Sequence, residues 1–133
     1  MSIPIAFNTQ LDKFLEQLIQ TYPEDKDFTY YKRLIDNLKK FNIRKPIEYF
    51  ASTVQKHTKQ IMERNSDFFL NNFGQIVNEE GADKDTQNEA FRLFNNLTKY
   101  WLEMSDDNKK VIWDYLNVLT KLSMQFLLSQ VSK

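Results

Sequence analysis

The chain has 133 residues, of which 41% are hydrophobic and 27% charged, with no Cys, one His, two Gly and three Pro. Eighteen basic and eighteen acidic residues cancel, which removes the overall basic character of a nucleic-acid-binding domain. The lack of thiols excludes a disulfide scaffold and thiolate metal sites, and eleven Phe, six Tyr and two Trp are too much apolar mass for a disordered chain.

Leu11, Phe14, Leu15, Leu18, Ile19 and Tyr22 recur at helical spacing. This predicts a first helix that starts near a Thr9/Asp12 capping pair and stops at Pro23. A second stripe, Phe28, Tyr31, Leu34, Ile35, Leu38 and Phe41, follows Asp27 as its cap. Pro46 suits the first turn of a third helix whose stripe is Ile47, Phe50, Val54 and Ile61. Asn65-Ser66-Asp67 interrupts it, and Phe68, Phe69, Leu70 and Phe73 form an apolar knot read as a brief helical turn before Gly74.

Residues 78–85 are the one obvious loop. Ala90, Phe94, Leu97, Trp101 and Met104 mark a further helix. Ser105, Asp106 and Asp107 then cap the last one, with acids where the helix dipole favours them. That helix runs through Val111, Ile112, Tyr115, Leu119, Leu122 and Phe126. The expected fold is all-α: a single domain over 1–133, a mostly antiparallel bundle of five to six helices, with groups 1–74 and 83–133 joined by the polar loop.

Little in this pattern is reactive. His57 falls at the border of its helix stripe, with no second His, no Cys and no HExxH spacing to make it a ligand or base. The acids Glu79, Glu80, Asp83, Asp85 and Glu89 invite a calcium loop. Counted from Asp83, however, the glycine position holds Asn88 and the bidentate position Phe94, so the EF-hand pattern fails. Asn96-Leu97-Thr98 matches a glycosylation sequon but falls mid-helix and is read as chance. No metal, cofactor, small-molecule substrate or catalytic residue is expected.

Two surfaces remain. Between Lys32 and Arg64 there are nine basic and three acidic residues, and Lys32, Arg33, Lys39, Lys40, Arg44 and Lys45 could hold phosphates by counterion release. The last helix has a second apolar set, Trp113, Met124, Leu127 and Val131, with Trp113 about 150° from the main stripe. Such a helix is either the central member of a bundle or a docking surface, and Trp and Met are both enriched at interface cores. The Phe68 and Phe69 knot has the same two readings.

The N-terminus has neither the basic nor the long apolar stretch of a signal peptide. Ser2 stands where myristoylation requires Gly, and no run approaches the ~18 apolar residues of a membrane span. A soluble, intracellular protein without a membrane partner is expected. The segments Phe14–Pro23, Asn42–Ile47, Asp67–Leu70 and Ser105–Leu119 together resemble small proteins encoded by large nucleocytoplasmic DNA viruses of algae and amoebae. The wealth of Asn, Lys, Ile and Phe is similar to that of AT-rich genomes of this kind. The resemblance implies an infected-cell setting, host cytoplasm or virion, and singles out Trp113 and Tyr115 without bringing a catalytic residue. The expected function is therefore a non-enzymatic protein–protein interaction or structural module, with self-association allowed. The alternative is a nucleic-acid-binding accessory protein using the basic face.

Overall fold

The computed structural model describes residues 2–78 and 96–131. Its helices are α1 (Ile3–Thr21), α2 (Lys26–Phe41), α3 (Lys45–Val54), α4 (Thr58–Met62), α5 (Ser66–Asn78) and α6 (Asp106–Val131), with residues 96–101 also helical. Among the described residues there is no strand, and the fold is the expected all-α bundle. Of the expected loop at 78–85, Asn78 is the last residue of α5; the rest of it, the acids Glu79, Glu80, Asp83, Asp85 and Glu89, and Ala90 and Phe94 of the expected next helix lie outside the described residues.

Several helix ends differ from the sequence expectation, each for a local reason. α1 starts well before Thr9, because the Ser2 hydroxyl caps it by accepting the Ile5 N–H at 3.2 Å and Pro4 pre-sets its first turn. Thr9 instead donates back to the Ile5 carbonyl from inside the helix. α2 is capped by Asp25, whose carboxylate accepts the Asp27 N–H at 3.0 Å, so Asp27 is a first-turn acid and not the cap. The last helix begins as its sequence suggests, with the Ser105 hydroxyl accepting the Asn108 N–H at 3.1 Å.

The expected third helix is two. The Val54 carbonyl takes the His57 N–H at 2.9 Å and the Thr58 hydroxyl at 2.9 Å, and this tight turn separates α3 from α4. α4 then ends with the Asn65 N–H reaching the Gln60 carbonyl at 2.9 Å across Arg64, which sits at φ 55°. That is a left-handed C-terminal turn in which Gly is usual. Arg64 occupies it while pairing with Asp114 at 2.7 Å. The Phe68 knot is no brief turn, since it opens the thirteen-residue α5.

α6 is the centre of the bundle. One side meets α1, where Phe14 stacks on Tyr115 with ring centres 5.3 Å apart. The other side meets α3 and α4. Phe7, Leu15, Phe28, Ile47 and Leu119 are fully buried in the main core, which draws on both halves of the chain. A second cluster gathers Val54, Ile61 and Trp113. Residues near the start of α1 meet the α2–α3 turn, and that turn meets the end of α6: the Asn8 amide donates to the Ile43 carbonyl at 2.9 Å and Arg44 to the Gln130 side chain at 3.0 Å. The last turn of α1 meets the approach to α6, so these two helices run antiparallel and give the bundle two distinct ends.

Candidate functional site

The second apolar face of α6 is largely internal. Trp113 is only 7% exposed. Its ring lies 6.1 Å from both Trp101 and Phe69. It belongs to the core that α6 shares with α3 and α4, which corrects its assignment as a docking residue: a helix with neighbours on both sides needs apolar residues on both. Met124 and Leu127 are half-buried, and the Thr58 hydroxyl reaches the Met124 sulfur at 3.9 Å. Phe68 and Phe69 are half-buried and meet edge to face at 5.2 Å. His57 packs 5.6 Å from Phe68, and its buried Nε2 has no hydrogen-bond partner among the described residues. Of this set only Val131 stands free, 84% exposed.

The basic face is partly occupied. Lys39 binds Asp12 at 2.6 Å and Asp36 at 3.2 Å, and Lys32 binds Asp36 at 3.1 Å. Partial burial works against both charges, but these pairs overcome it and hold the Asp36 carboxyl below and the Lys39 ammonium above their ordinary values. Arg44 lies 3.8 Å from Glu48 and stacks 5.3 Å over the Phe126 ring. Arg33, Lys40 and Lys45 are exposed and, among the described residues, are in no ion pair.

The feature that sequence reasoning missed is Phe41. Its spacing places it on the core stripe of α2, yet it is 84% exposed. The stripe outruns the core there, because α2 ends at Phe41 and the chain turns at Asn42. Ile43 is 49% exposed beside it, and Ile5, Leu128 and Val131 also show apolar surface at the same end. The run Lys39-Lys40-Phe41-Asn42-Ile43-Arg44-Lys45 carried the signal, two apolar residues bracketed by cations in a turn. Segments 2–11, 37–47 and 122–131, which build this end, hold four cations; Lys39 and Arg44 face the adjoining Asp12, Asp36 and Glu48, and Lys40 and Lys45 are the exposed pair.

The opposite end is acidic and tightly bonded. Tyr100 donates to Asp25 at 2.6 Å. Asn96 donates to Asp27 at 2.8 Å and to Asp25 at 3.2 Å. Tyr100 also stacks on Tyr22 with ring centres 4.1 Å apart. The hydrogen bond to Asp25, then burial and the negative charges of Asp25 and Asp27, push the Tyr100 hydroxyl up to about 12. Burial alone raises Tyr22. Because Asp25 also caps α2, one carboxylate fixes the 96–101 segment to the start of that helix. Segments 20–28 and 99–108 hold six carboxylates against two lysines.

Among the described residues no three His, Asp or Glu side chains are grouped to hold a metal ion, and no helix is long and apolar enough to cross a membrane. The arrangement offers charged and apolar contact surfaces at two ends of the bundle. No protein-family model matches the chain, and neither a curated protein nor a solved structure matches it.

Proposed function

We propose that this chain is a non-enzymatic interaction module that works by surface contact, through the end of the bundle where α2 turns into α3 and α6 stops. The observation that carries this reading is the exposed apolar side chains at this end, with Phe41 and Val131 each 84% exposed, and the exposed cations Lys40 and Lys45, which are in no ion pair among the described residues. Apolar side chains that protrude beside cations favour contact with a partner surface. The setting we infer, host cytoplasm or virion, rests on the sequence resemblance alone. Affinity purification of the tagged chain followed by mass spectrometry tests the reading. Phe41→Ser with Val131→Ser should strip the specifically retained species, and an unchanged set would refute it.

A second reading, nucleic-acid binding, is favoured by the exposure of Arg33, Lys40 and Lys45. It is weakened by the carboxylates that Lys32, Lys39 and Arg44 face at close range. A gel shift at low salt should show binding that weakens with salt and with Lys40→Glu; no shift would refute it.

A further inference from the structure

We infer that copies of this chain associate head to tail, the basic apolar end of one seating on the acidic end of the next. This rests on the interaction-module reading and names its partner as a second copy. The zero net charge conceals a segregation of charge along the bundle. At the α2–α3 turn Lys39 and Arg44 face Asp12, Asp36 and Glu48, which leaves Lys40 and Lys45 to carry the positive charge of that end, whereas segments 20–28 and 99–108 at the far end hold six carboxylates and two lysines. The nineteen residues of α1 separate these ends by about 28 Å at 1.5 Å per residue. That exceeds the Debye length of ~8 Å at physiological salt. The two charges therefore do not cancel within one molecule, and each presents its own field to a neighbour.

Both ends also carry apolar surface. Phe41 and Ile43 protrude at the basic end, and Leu102 is 84% exposed at the acidic end. A symmetric pairing of two basic ends would set Lys40 and Lys45 against their own copies, which like-charge repulsion opposes. The head-to-tail pairing sets them instead against Glu24 and Glu103, both exposed. Such a contact uses two different patches and is not consumed when two copies meet, so assemblies grow by addition.

Sedimentation velocity of the full chain tests this. At low salt the weight-average sedimentation coefficient should climb with protein concentration without levelling at a dimer. In sodium chloride of about 1 M, where the Debye length is ~3 Å, it should fall toward the monomer value. Lys40→Glu/Lys45→Glu and Glu24→Lys/Glu103→Lys, all at exposed positions, should each keep the wild-type helical circular dichroism and sediment as monomers. Mixing the two variants should restore association, because each then presents one wild-type and one charge-swapped contact to the other. A wild type that is monomeric at every concentration, a plateau at dimer mass, or a mixture that stays monomeric would overturn the head-to-tail contact. So would a monomer that binds phosphatidylserine vesicles through Lys40 and Lys45, since the basic end would then have a lipid surface as its partner. In either case specific capture that depends on Phe41 would leave the interaction-module reading standing, and its absence would remove that reading too.

Discussion

Replacing Tyr100 by Phe tests whether Asp25 fastens the 96–101 segment to the start of α2. The substitution keeps the ring that stacks on Tyr22 at 4.1 Å and deletes only the hydroxyl that donates to Asp25 at 2.6 Å. A hydroxyl raised from 10.0 to about 12 implies a ceiling of about 2.7 kcal/mol, at 1.36 kcal/mol per pH unit. Tyr100 is only half-buried, and solvent screening reduces this to about 1–2 kcal/mol. In thermal unfolding followed by circular dichroism, that corresponds to a midpoint lower by roughly 4–8 °C for a domain of this size. The pH dependence is the sharper check. The folded state holds this proton more tightly than the unfolded chain does, so its stabilisation is complete below about pH 10 and is lost as pH rises toward 12. The gap between wild type and variant should be constant from neutrality to about pH 10 and then narrow. Equal stability at neutral pH, or a gap that persists undiminished above pH 11, would refute the proposed link.

Three further outcomes follow from burial and pairing. Phe41→Ser should change stability by less than about 0.5 kcal/mol in urea unfolding, as expected of a surface position, whereas Trp113→Ala should cost about 3–5 kcal/mol by opening the second cluster; the reverse ranking would overturn the placement of both. Thr120 is fully buried and its hydroxyl has no hydrogen-bond partner among the described residues, so Thr120→Val should be neutral or raise stability by about 1 kcal/mol, and a clear loss would show that the hydroxyl is satisfied. Asp36→Asn removes the partner of Lys32 and Lys39 and should cost at most about 1 kcal/mol at these partly exposed pairs. Since the folded-state value of Asp36 lies below its ordinary 3.8, that cost should be present at neutral pH and vanish as acid titration passes below 3.8.

The fold was legible because it is local. Apolar residues every three or four positions, Ser105 before the acids of α6 and Pro46 in the first turn of α3 specify helices without reference to partners. Capping was legible only in part, since Ser2, Asp25 and Thr9 are all chemically competent caps and the choice among them depends on where each stripe finds something to cover. The split between α3 and α4 was not legible at all, because it turns on which donor reaches the Val54 carbonyl.

The sequence by itself determined that this protein is helical and well supplied with apolar mass. It also gave both readings of the second face of α6, central member or docking surface. Only tertiary structure chose between them, burying Trp113 between neighbours and leaving Phe41, a residue of equally regular spacing, in solvent. Periodicity fixes the direction in which a side chain projects, but burial depends on whether another element stands there to meet it. Charge behaves the same way: eighteen cations and eighteen anions sum to zero along the chain, and only the packing decided that Lys39 is paired with Asp12 while Lys40 and Lys45 stay exposed.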